Sequence, residues 1–204
     1  MVVEISGDCL VALDIDGTLI PLLIDFETLR AKIRALLGVN HSLRPLAESL
    51  ASLPVDRELK EEAWRLIEEA EVESVERIDP REVSESVECV KRMISLGVGV
   101  VFVTARSSRT AELVLSRLGL TRFAESLVSR DVTPYRVEQL KYVLKLSRGR
   151  KVVFVADAQH DEEAAEALGL LFLKVESYRE LPHVLNRVIN ICRTFSQPSG
   201  LPPN

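Results

Sequence analysis

The segment Asp14-Ile15-Asp16-Gly17-Thr18 sets two carboxylates two residues apart, directly after the apolar run 9–13 and with a glycine behind them to turn the chain. A carboxylate exposed at a strand end and held near a cation can attack a phosphorus atom. It then forms an acyl phosphate and splits one hard displacement into two easier ones. Asp14 fits that nucleophile. Asp16 fits the acid that protonates the leaving oxygen and the base that later activates water, a role suited to a carboxyl whose pKa its neighbours raise.

Two further polar clusters close apolar runs. Thr104-Ala105-Arg106 follows the run 98–103 and offers a hydroxyl and backbone N–H groups to phosphoryl oxygens. Asp157-Ala158-Gln159-His160-Asp161 follows the run 152–156 and adds two acids, an oxygen-rich set suited to Mg²⁺. Taken singly, each cluster also reads as a solvated loop. Three at the carboxyl ends of three strands are hard to assign to solvation alone.

The elements that must bring these clusters together are short β-branched runs at 9–13, 98–103, 126–129, 152–156 and 170–175, alternating with helical patterns at 81–96, 109–118, 135–146 and 162–168. Asp79-Pro80 and Thr133-Pro134 mark helix starts, and Gly97, Gly119 and Gly169 mark helix ends. The alternation predicts an α/β fold, a doubly wound parallel sheet whose ligands collect at the carboxyl ends of the strands. Residues 22–78 break it. Phe26, Leu29, Ile33, Leu36 and Leu37, then Leu59, Ala63, Leu66, Ile67 and Ala70, recur at helical spacing, which predicts an all-α cap over the strand ends. The core is accordingly assigned to 1–21 and 79–195. The Pro/Ser/Gly-rich stretch 196–204 reads as a disordered tail.

Composition limits the partners. The 204 residues carry a formal charge of −5 with 28% charged and 47% hydrophobic side chains, so no single-sign field points to nucleic acid or a membrane surface. A small phosphorylated molecule is the simpler partner. The three cysteines, Cys9, Cys89 and Cys192, are far apart and read as reduced core thiols. No run approaches the ~18 apolar residues of a spanning helix, and the amino terminus lacks a basic-then-apolar leader, so a cytoplasmic protein is expected.

The three clusters, in this order, resemble the motifs of the haloacid dehalogenase-like superfamily, the first of them most specifically. The resemblance spans the chain except the cap and the tail. It implies a phosphatase in which Asp14 is the nucleophile, Asp16 the acid and base, and Thr104 the holder of the phosphoryl group, with Thr18, Ala105 and Arg106 around the substrate. It implies Mg²⁺ held by Asp14, the backbone carbonyl of Asp16 and Asp157, with Asp161 in support. The acid at position 16 disfavours dehalogenases and transport ATPases. A phosphomutase and a phosphate-binding relative without turnover stay open, whereas a signalling receiver domain would be shorter and uncapped.

One departure stands out. The superfamily's lysine between the second and last motifs has no match, and Arg136 is the assigned substitute, with Lys141 and Arg130 as other candidates. Arg106 and Arg109 fit either a distal anionic group of the substrate or a pairing with cap acids. His160 reads as a rim residue. The acidic run 58–76 reads as the wet face of a cap helix, with Trp64 in packing.

Overall fold

The computed structural model describes residues 7–123 and 126–195; the expected tail, 196–204, lies outside them. Five strands, β1 (Cys9–Asp14), β2 (Gly99–Val103), β3 (Ser126–Val128), β4 (Lys151–Ala156) and β5 (Leu171–Lys174), form one all-parallel sheet in the order β3-β2-β1-β4-β5. The central strand alternates its side chains between two buried layers, as the pleat dictates. Cys9, Val11 and Leu13 pack on one face, and Leu10 and Ala12 on the other.

The first face is covered by α4 (Ser84–Ser95), α5 (Ser108–Arg117) and α8 (Leu181–Phe195), and the second by α6 (Arg136–Ser147) and α7 (Gln159–Glu166). The sequence pattern assigned no element to 181–195, yet Leu181, Val184, Leu185, Val188, Ile189 and Cys192 lie on one buried stripe of α8. Between β1 and α4 come only helices: α1 (Phe26–Leu37), α2 (Leu46–Ser52) and α3 (Arg57–Glu76). Asp25 and Asp56 start α1 and α3 by accepting the first free backbone N–H groups, and Gly38 ends α1 at φ 63°. Ile33, Leu37, Leu43, Leu50, Ala63 and Ile67 give this insertion an apolar cluster of its own.

The reading of the cysteines is corrected. Cys9 opens β1 and Cys192 lies near the end of α8, and the two form a disulfide across a sequence separation of 183 residues, with Cα atoms 5.5 Å apart. Only Cys89 is a free, buried thiol. Packing of α8 against the sheet creates that neighbourhood, which spacing along the chain does not reveal.

Candidate active site

Asp14 is the last residue of the central strand, and Thr104 and Asp157 directly follow β2 and β4, the strands on either side of it. The parallel register therefore gathers all three at one edge of the sheet. After Asp14 the chain folds back at once: Gly17 N–H donates to the Ile20 carbonyl at 2.9 Å, and the Leu19 and Ile20 N–H groups donate to Ile15 at 2.9 and 3.0 Å. Gly17 sits at φ +85°, and a Cβ there would lie 2.3 Å from Asp157 Oδ2. Glycine is required on both counts, because the Asp157 carboxylate packs against the backbone that immediately follows Asp16.

Arg136, the first residue of α6, is buried between two carboxylates, 3.0 Å from Asp14 Oδ1 and 2.6 Å from Asp161 Oδ1. Its third nitrogen donates to Gln139 Oε1 at 3.0 Å, while the Gln139 amide donates to the Thr104 and Thr133 carbonyls at 2.9 Å each. Of the three candidate cations, Arg136 alone meets Asp14. Lys141 pairs with Glu138 on the surface, and Arg130 pairs with Glu71 and lies over the Trp64 ring.

The carboxylates crowd one another. Burial first, and then the charges of Asp161, Asp157 and Asp16, push the Asp14 carboxyl well above its ordinary range despite Arg136. Burial and Asp161 also raise Asp157. Among the described residues no three acidic, imidazole or thiol side chains converge to hold a metal by themselves. Asp14 and Asp157 nevertheless supply hard oxygen donors in a zone of excess negative charge, and Asp157 already fills the cradle left by Gly17 beside the Asp16 carbonyl. That donor set fits a hard divalent cation such as Mg²⁺. Asp161, expected in support of the metal, lines the same cavity as Asp14 and Asp157 and holds Arg136 through its Oδ1, which makes no hydrogen bond. Arg106 holds the Asp16 side chain, and the donor expected from this residue to a cation is its backbone carbonyl.

Two of the expected substrate contacts are also redirected. Thr18 is buried with its hydroxyl donating to Asp157 Oδ1 at 3.3 Å, so it braces an acid instead of facing the cavity. Arg106 does not reach for a distal anion: its Nε and Nη2 clamp Asp16 Oδ2 and Oδ1 at 2.7 Å each. Thr104 and Ala105 do line the cavity, with the Thr104 hydroxyl accepting from Arg106 N–H at 3.1 Å. Arg109 pairs with Glu68 of α3, and His160 stands at the rim, 3.6 Å from Asp161.

The sequence reading missed three residues. Glu71 is not on a wet face. It is buried, accepts from Thr110 Oγ1 at 2.6 Å and from Ser107 N–H at 3.3 Å, and pairs with Arg130. Glu48 of α2 accepts from Arg136 N–H at 2.9 Å, capping the start of α6 from the insertion, and Gln139 orients Arg136. Each is an ordinary polar residue on a helix, and only its three-dimensional neighbours distinguish it. The insertion and the strand ends together line an open-sided cavity of about 620 Å³, to which Asp14, Asp157 and Arg136 and, from the insertion, Ile24, Phe26 and Leu46 contribute.

A family model described as haloacid dehalogenase-like hydrolase matches residues 10–169. Solved structures with the same fold include the haloacid dehalogenase-like family hydrolase SP0104 from Streptococcus pneumoniae, at 16% identity and TM-score 0.56, covering 88% of this chain and 90% of that one. CbbY from Rhodobacter sphaeroides, solved in complex with phosphate, aligns at 15% identity and TM-score 0.56, covering 84% and 95%. A putative β-phosphoglucomutase from Thermotoga maritima aligns at 19% identity and TM-score 0.53, covering 88% and 99%. A search of curated proteins returned no significant match.

Proposed function

The chain belongs to the haloacid dehalogenase-like hydrolases, and from that premise we propose that it is a Mg²⁺-dependent phosphatase that hydrolyses a small phosphomonoester through phosphorylated Asp14. The observation that carries this reading is the seat of Asp14: a buried carboxylate at the end of the central strand, gripped by Arg136 and lining a cavity open to solvent. The cavity volume suits a small molecule, and we read residues 22–78 as the unit that roofs it.

In the first step an Asp14 oxygen attacks phosphorus while the P–O bond to the leaving group breaks and Asp16 delivers a proton to the departing oxygen. In the second, Asp16 takes a proton from water as that water attacks the aspartyl phosphate, and inorganic phosphate and free Asp14 result. The Thr104 hydroxyl and the Ala105 N–H hold the phosphoryl oxygens, the Arg106 and Ser107 N–H groups being directed to Thr104 and Glu71. Arg136 supplies the fixed positive charge that the superfamily's lysine supplies elsewhere, which speaks against reading the missing lysine as loss of turnover. Asp14, Asp157 and the Asp16 carbonyl would hold Mg²⁺, whose charge offsets that of the phosphate and of Asp14.

The test is hydrolysis of para-nitrophenyl phosphate with and without Mg²⁺, beside the Asp14→Asn variant. Mg²⁺-dependent release that falls by about 10³ or more in the variant supports the mechanism. Equal release by both proteins refutes it.

A further inference from the structure

Arg106 is the largest fully buried side chain among the described residues, and the two-step chemistry above gives its guanidinium no direct part. Its environment is specific. Nε and Nη2 hold both oxygens of Asp16 at 2.7 Å, a planar fork on a planar carboxylate. The other bonds run to the insertion: Nη2 donates to Ser74 Oγ at 2.7 Å and Nη1 to the Glu71 carbonyl at 3.2 Å, both on α3. Ser74 in turn donates to the same carbonyl at 2.6 Å, so its hydroxyl is oriented to accept from the guanidinium.

We propose that Arg106 is a positioning residue for Asp16, and that its bonds to Ser74 and the Glu71 carbonyl make the orientation of that carboxylate depend on the seating of helix α3. The proposal rests on the reading of Asp16 as the acid and base of the reaction. A carboxylate offers about four lone-pair sites. The fork uses one on each oxygen and fixes the plane of the group, which leaves the remaining site on each oxygen for a proton. Asp16 lines the cavity and keeps 17% of its side chain exposed, so one edge still faces the substrate. Were α3 to lift, the guanidinium would lose two of its four anchors, and Asp16 its fixed aim at the leaving oxygen. The insertion is therefore wired to the proton-transfer group and not only to the walls around the substrate.

The dependence on leaving group separates this role from a merely structural one. Phenyl phosphate and para-nitrophenyl phosphate are similar in size, but phenolate, with a conjugate acid near pKa ~10 as in tyrosine, needs a proton far more than nitrophenolate does. With Mg²⁺ present, Arg106→Gln should lower kcat/KM, which reports the steps through leaving-group departure, by about 10²-fold or more for phenyl phosphate, the scale of general acid catalysis, and by less than about tenfold for para-nitrophenyl phosphate. Arg106→Lys, which keeps the charge without the fork, should fall between. Ser74→Ala, which removes a single bond, should shift the ratio the same way by about threefold to tenfold, and it decides the matter if Arg106→Gln does not fold. Equal losses on both esters, or none, overturn the proposal while leaving the phosphatase reading intact. A wild-type protein inactive on both esters removes that reading and this proposal with it.

Discussion

Replacing Arg136 by Gln removes the one guanidinium that lies within 3.0 Å of Asp14 and 2.6 Å of Asp161. All three side chains are almost completely buried, so water from the cavity they line can take over only part of the lost pairing. Removing one partner of a buried ion pair costs about 3–5 kcal/mol, because the charge left behind is uncompensated. Burial already pushes Asp14 towards its neutral form, so part of its share is avoided by protonation, and the low end, about 3 kcal/mol, is expected at pH 7. With a urea dependence of about 2 kcal/mol per molar, the midpoint of unfolding should fall by about 1.5 M. The measurement belongs in EDTA, since a bound cation would restabilise the variant by mass action. Adding Asp161→Asn removes one of the orphaned charges and should recover at least about 1 kcal/mol relative to the sum of the single changes. Arg136→Lys should lie between wild type and Gln, since one ammonium cannot span both carboxylates with the same fork. A shift below about 0.5 M for Arg136→Gln, or strict additivity with Asp161→Asn, would refute the argument.

Glu71 offers a test by pH: burial raises its carboxyl above the ordinary 4.5 in spite of Arg130 and Arg106, so the folded state holds the proton more tightly than the unfolded one. Wild-type stability relative to Glu71→Gln should therefore decline as pH rises from about 4.5 through the raised pKa, then level off; a difference that stays constant from pH 4.5 to 8 in urea unfolding contradicts this. The disulfide predicts one reactive thiol per chain, Cys89, in denaturant without reductant and three after reduction. Three before reduction would exclude the bond. Reduction should lower unfolding stability by about 2–4 kcal/mol.

Much of the framework is legible in the residues because parallel strands buried on both faces must be short apolar runs, and each one here ends in the polar cluster that the sheet edge requires. Asp14, Thr104 and Asp157 could be placed together on topology alone. What stayed hidden depends on contacts between distant segments. Arg106 reads as a cation beside a phosphate site, and nothing in its neighbours along the chain says that it turns to Asp16 and α3. Glu71 is one acid among many on an acidic helix, and only the approach of Ser107, Thr110 and Arg130 buries it. Helix α2 is only seven residues long, Leu46–Ser52, too short for periodicity to declare it. Helix α8 did carry an i, i+3, i+4 stripe but lies beyond the last strand, where the alternation of strand and helix had already ended.

The bond between Cys9 and Cys192 makes nearly the whole described chain a covalent ring. Every strand and every helix except the last three residues of α8 lies inside it. A single proteolytic nick in any surface loop between these cysteines would thus open the ring without releasing a fragment. The nicked protein would migrate as one species on a non-reducing gel and as two once reduced, and its two parts would keep each other within folding distance. Protection of that kind depends on the redox state of the surroundings, so the same nick that is harmless under oxidising conditions would divide the molecule under reducing ones.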